Sequence, residues 1–188
     1  MESLLPAFLA ACLAEIGDKT QILALLLAVR FRAPGTVFAG VALAALANSL
    51  IGAAGGVLVH ALINFRAATL LMAIALVFAG IGALLRQRDP EVASYGRIGA
   101  FLTCFLGFLI LEFGDKTQFL TMALAARSDS LWLTAAGATA GIAAANAPAI
   151  WIGRRWRTIL PLRAVRIGVG VLLLFLGTIA ALTALRLI

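Results

Sequence analysis

The sequence predicts an all-α polytopic membrane protein of six transmembrane helices, arranged as two inverted three-helix repeats. Three observations lead there. Apolar residues make up 63% of the chain and charged residues 12%, with a mean hydropathy of +1.09; a soluble domain would carry about twice that charged share. The apolar residues fall into six runs. One six-residue phrase also occurs twice, once in each half of the chain.

The six runs are Leu4–Val29, Thr36–Ala61, Ala67–Leu85, Gly99–Ala126, Leu131–Ile152 and Ile167–Leu185. Each is long enough as a helix to cross about 30 Å of hydrocarbon. The first is longer than the apolar region of a signal peptide, carries three charges at its centre and is followed by no small-residue cleavage site. It is therefore expected to remain in the mature protein. Arg30-Phe31-Arg32-Ala33-Pro34-Gly35 separates runs one and two, and Asn64-Phe65-Arg66 separates two and three. The polar stretch opening at Arg86-Gln87-Arg88-Asp89-Pro90-Glu91 divides the halves. Arg127-Ser128-Asp129-Ser130 follows run four, and a stretch with Arg154, Arg155, Arg157, Arg163 and Arg166 follows run five. The expected organisation is a first repeat over 1–86, a cytoplasmic connector over 87–98 and a second repeat over 99–188.

The net charge of +7 does not indicate nucleic acid, because the arginines gather between apolar runs rather than along one face among aromatics. They suit lipid headgroups and topology instead. Connectors one, three and five hold Arg30, Arg32, Arg86, Arg88, Arg97, Arg154, Arg155, Arg157, Arg163 and Arg166, whereas the other side holds Arg66, Arg127 and Arg186. The positive-inside rule puts the larger group in the cytoplasm and both termini outside, in a bacterial-type inner (plasma) membrane. Cys12 and Cys104 read as small packing residues, and His60 as an interfacial histidine at the outer end of run two.

The repeated phrase is Glu15-Ile16-Gly17-Asp18-Lys19-Thr20 and Glu112-Phe113-Gly114-Asp115-Lys116-Thr117, each followed by Gln (Gln21, Gln118), at an offset of 97 (112 − 15). Phe78-Ala79-Gly80 aligns with Phe175-Leu176-Gly177 at the same offset, and Asn48 with Asn146 if one residue is inserted. Each half holds an odd number of spans, so the second must be inverted relative to the first.

The phrase holds four of the eight acidic residues and both lysines in a chain that otherwise uses arginine. A compact ammonium rather than a planar guanidinium is needed there. On a continuous helix Glu15, Asp18 and Gln21 share a face, as do Glu112, Asp115 and Gln118, and Gly17 and Gly114 let a neighbouring helix approach. A charge at a helix centre costs about 2.5–3.5 kcal/mol against lipid, so the two faces must look at each other near the midplane. Four carboxylates and two ammonium groups meet there. Thr20, Thr117, Gln21, Gln118, Asn48 and Asn146 are candidate neutral oxygens, and Lys19 and Lys116 candidate charge partners. Such an oxygen site suits one hard divalent cation, Mn²⁺, Ca²⁺ or Mg²⁺. The blander reading, ion pairs that only hold the halves together, is disfavoured because buried ion pairs are a poor source of stability. Asn48 and Asn146 serve equally well as helix-to-helix hydrogen-bonding groups.

Two copies of E-x-G-D-K-T, each early in a three-helix half, resemble the calcium:cation antiporter-2 family, which includes Golgi cation transporters and MneA-type manganese exporters. The resemblance spans essentially the whole chain. It implies a transporter rather than an enzyme, with no cofactor, exporting Mn²⁺ or Ca²⁺ in exchange for H⁺. It also implies that Glu15, Asp18, Glu112 and Asp115 form the ion site. Membrane lipid is the other expected partner. Two further readings compete: an amino-acid exporter of LysE type, and an intramembrane aspartyl protease. Pro148-Ala149-Ile150 faintly matches the protease element, but such enzymes use two unlike aspartate motifs and this chain duplicates one.

Overall fold

The computed structural model describes residues 3–85, 99–159 and 161–187; the connector expected over 87–98, with Arg86, Arg88 and Arg97, lies outside them. The described residues are helical: α1 (Leu4–Glu15), α2 (Lys19–Phe31), α3 (Pro34–His60), α4 (Phe65–Leu84), α5 (Gly99–Glu112), α6 (Lys116–Ser128), α7 (Leu131–Ile152), a 3-10 turn at Gly153–Arg155, α8 (Trp156–Ile159) and α9 (Leu162–Leu185). Four of these, α3, α4, α7 and α9, are long and apolar enough to cross a membrane.

Runs one and four are not the continuous helices that their apolar length predicts. Each is a pair of short helices, α1 with α2 and α5 with α6, broken at the motif. The cause is local. Gly17 and Gly114 hold φ of +75° and +74°, a left-handed conformation that glycine alone adopts without a Cβ penalty. Asp18 and Asp115 follow in extended conformation as the N-cap residues of α2 and α6. Gln21 Oε1 accepts from Gly17 N at 3.0 Å, and Gln118 Oε1 from Gly114 N at 2.7 Å, which ties each new helix back to the break.

Helix contacts recur at the 97-residue offset. A side chain on Gly137 of α7 would strike the Leu4 carbonyl of α1, and one on Gly40 of α3 would lie 2.8 Å from the Phe101 carbonyl of α5. Gly80 of α4 would meet the Gly170 carbonyl of α9 at 2.9 Å, and Gly177 of α9 the Ala73 carbonyl of α4 at 3.1 Å. Glycine is required because the backbones nearly touch, as in small-residue membrane interfaces. The buried interior is largely alanine and glycine, whereas Leu58, Ile74, Phe78, Ile110, Phe175 and similar side chains point outward, the distribution that lipid permits and water penalises. Cys104 packs fully buried against Phe108 and Val41, as its packing role predicts.

The connectors segregate to two ends. At one, Arg166 at the start of α9 donates to the Ala83 and Leu85 carbonyls ending α4, and α2 packs on the 3-10 turn. At the other, His60 Nδ1 lies 2.7 Å from the Ala126 carbonyl and Arg66 donates to the Ala184 carbonyl at 2.6 Å.

Candidate cation site

Breaking α1–α2 and α5–α6 in the middle of apolar runs brings four helix ends into the interior. Irregular backbone at membrane depth is tolerated only where protein or a polar cavity surrounds it. Here the motif side chains supply that surrounding. Glu15, Asp18 and Asp115 each offer a carboxylate oxygen, and these three oxygens lie within 4.8 Å of one another. Glu15 is completely buried and Asp18 nearly so.

Every acid of the trio has partners. Thr20 Oγ1 donates to Glu15 Oε2 at 2.5 Å, and Thr117 Oγ1, from the other copy, donates to Glu15 Oε1 at 2.6 Å. Lys116 Nζ pairs with Asp18 Oδ1 and sits 3.5 Å from Asp115 Oδ2, while Lys19 Nζ sits 2.8 Å from Asp115 Oδ1. Each lysine thus reaches the aspartate of the opposite copy. Lys116 is almost buried, whereas the Lys19 side chain is 30% exposed.

Several sequence-derived candidates take other places. Glu112, expected as the fourth ligand, is buried but outside the trio, and its Oε1 has no hydrogen-bond partner. The break itself is not the cause, since Glu15 ends α1 at the same place before Asp18 and stays in the trio. What differs is the partners, because the threonines of both copies, Thr20 and Thr117, donate to Glu15. Gln21 and Gln118 each hold backbone on two sides. Besides clasping the glycines, Gln21 Nε2 donates to the Ala145 carbonyl at 2.5 Å and Gln118 Nε2 to the Asn48 carbonyl at 3.3 Å. The expectation for Gly114 of close helix approach is also corrected. A Cβ there would meet nothing within 4 Å, whereas one on Gly17 would lie 2.6 Å from Arg166 Cγ.

The two glutamine clamps also correct the repeat register. Ala145 and Asn48 are 97 apart, so no residue is inserted and Asn48 is not the counterpart of Asn146. The counterpart of Asn146 is Ser49, which sequence reasoning missed although a constant offset marks it. Ser49 Oγ, Asn48 Oδ1 and Asn146 Oδ1 are buried without partners. The amide nitrogens of Asn48 and Asn146 do donate, to the Leu109 and Ile142 carbonyls at 3.3 and 2.9 Å.

The two copies differ in access. A cleft of about 560 Å³ between α3, α4 and α6, lined among others by Gly52, Phe78 and Gly114, reaches Asp115 and Gln118. Their first-copy equivalents, Asp18 and Gln21, are closed over. The cleft follows the parts of α3 and α6 that run toward His60 and Arg127.

A family model described as "Divalent cation/proton antiporter GDT1" matches residues 3–91 and 100–187. The chain belongs to this family. It is also 36% identical over 155 residues to a Vibrio cholerae serotype O1 protein named "Putative manganese exporter", covering 82% of this chain and 78% of the relative. No solved structure matches the chain. Membership in the GDT1 family makes the chain a multi-pass membrane cation transporter, not an enzyme, in line with the resemblance carried by its duplicated motif. The aspartyl protease reading is thereby set aside. The two matched stretches of the GDT1 model begin 97 positions apart (100 − 3).

Proposed function

We propose that this protein exports a divalent cation, Mn²⁺ before Ca²⁺, in exchange for H⁺, through a mid-membrane site built from both motif copies. The observation that carries the reading is the convergence of Glu15, Asp18 and Asp115 from two distant stretches of chain. Three carboxylates with hydroxyl and amide oxygens nearby favour a hard cation and offer no soft donor apart from Cys12 one turn away. The unpartnered oxygens of Ser49, Asn48, Asn146 and Glu112 are costly unless a cation, proton or water satisfies them. The manganese assignment draws on the Vibrio relative's name. A LysE-type substrate would need a site for a carboxylate as well as an amine, and the motif acids disfavour one.

We read the chain as six spans in two inverted three-helix halves, with both termini outside and the larger arginine group in the cytoplasm. Glycine contacts, glutamine clamps and family-model stretches at one constant offset support that plan. On this reading α1–α2 and α5–α6 are the first spans of the halves, each a discontinuous helix of the type that builds ion sites in secondary transporters. Cation binding must displace Lys19 and Lys116 from the aspartates and compete with protons for the same oxygens, so metal and proton each weaken the other's binding. Rocking of the halves would then carry metal one way and protons the other. On this reading the cleft, which among the trio reaches Asp115, would give access from the outer side.

The test is purified protein in liposomes with internal metal and internal pH followed together. An outward Mn²⁺ gradient is expected to drive protons inward, and Ca²⁺ to compete less well. Metal flux without proton movement would replace the antiporter with a uniporter, and lysine flux exceeding metal flux would favour the LysE-type reading.

A further inference from the structure

We propose that the hollow between the N-terminal end of α4 and the C-terminal ends of α6 and α9 binds a phosphate oxyanion, carried by a phospholipid headgroup or as free phosphate. Away from the arginine-rich connectors the chain has three arginines, Arg66, Arg127 and Arg186. All three line this one cavity of about 530 Å³, together with Asn64, Thr69 and Thr183, a volume within the usual range for a small-ligand site.

Two of the guanidinium groups, those of Arg66 and Arg127, are held in place. None of the three is in an ion pair among the described residues, and the nearby Asp129 faces His60 at 3.8 Å. Arg66 spends its Nε on the Ala184 carbonyl at 2.6 Å, which leaves its terminal nitrogens available. The Arg127 guanidinium stacks 5.2 Å above the Phe65 ring, which orients its plane. Arg186 is the left-handed residue that ends α9, with φ of +58°.

A second source of positive potential is the N-terminus of α4. Asn64 caps a single amide, that of Ala67 at 2.9 Å, so first-turn N–H groups remain to meet an anion. Forked guanidinium groups and a helix N-terminus together match phosphate oxygens. Capping of helix C-termini alone would account for Arg66, which reaches a carbonyl of α9, and for Arg127 in the last turn of α6. It leaves the convergence of Arg186 with them unexplained. Arginine on this face also works against the topology signal of the opposite face, so three gathered in one hollow need a counter-charge.

The test uses the full chain in neutral detergent with three probes: dihexanoyl-phosphatidylglycerol, inorganic phosphate, and dihexanoylglycerol as the phosphate-free control. Binding is read by native mass spectrometry and by the shift in melting temperature. One or both phosphate probes should bind saturably while the control does not. Arg127→Gln with Arg186→Gln should weaken that binding by about tenfold or more while leaving the Arg66 bond to α9, and hence the fold, intact. Binding of the phosphatidylglycerol alone assigns a lipid headgroup, and equal binding of inorganic phosphate assigns the free ion. Failure of both probes on the parent protein, or equal binding by the double variant, overturns the proposal.

Discussion

Lys19 Nζ lies 2.8 Å from Asp115 Oδ1, although the two residues belong to different copies of the motif. Lys116 makes the reciprocal pair with Asp18. If the trio holds the transported cation as proposed, the lysines occupy its place and each single-charge ammonium competes for the aspartates. Lys116→Gln is expected to tighten Mn²⁺ binding by about tenfold and to slow turnover. Lys19→Gln should do so less, because its side chain is 30% exposed against 6% for Lys116, and solvent screens its pair. Titration calorimetry with Mn²⁺ reads this directly; weaker binding in both variants would make the lysines supports of the site rather than competitors.

The acids should separate into two classes. Glu15→Gln, Asp18→Asn and Asp115→Asn each remove charge from the trio and are expected to abolish divalent-cation flux in liposomes while the protein remains folded. Glu112→Gln should cost metal affinity distinctly less, since Glu112 lies outside the trio. Equal loss across all four variants would return Glu112 to the binding site.

The two glycines share a backbone conformation but not surroundings, which predicts unequal damage. A side chain in the left-handed region costs about 1–2 kcal/mol, so Gly114→Ala should lower the melting temperature by that strain alone. Gly17→Ala adds a collision with Arg166 Cγ at 2.6 Å and should lower it further. Equal shifts would mean that Arg166 moves aside without cost.

Arg166 joins the start of α9 to the end of α4 through the Ala83 carbonyl, 3.1 Å from Nη2, and through that of Leu85, with its stem over Gly17. It covers the first motif copy on the side opposite the cleft. In a Cys12→Ala, Cys104→Ala background, Arg166→Ala is expected to speed labelling of Ile16→Cys by an impermeant thiol reagent several-fold. Unchanged labelling would reduce Arg166 to a helix cap.

Composition and run length by themselves determined a helical membrane protein, because only a lipid-embedded chain can tolerate so little charge. The duplicated motif located the acids, since a carboxylate in an apolar run has to be brought to a partner. The helix breaks were also written locally: Gly followed by Asp-x-x-Gln is a helix-start pattern, but the surrounding apolar run masked it. What only the tertiary structure decided is which side chains meet. Glu112 stands outside the trio although it precedes the same turn as Glu15, because the threonines of both copies converge on Glu15, and Gln21 and Gln118 become clamps because backbone carbonyls of α7 and α3 come within their reach. Ser49 replaces Asn48 as the counterpart of Asn146 once those clamps fix the register. Gly17 is covered and Gly114 open although their local sequences nearly match, because packing of α9 against α4 places Arg166 over one of them, a long-range contact that no short stretch of sequence encodes.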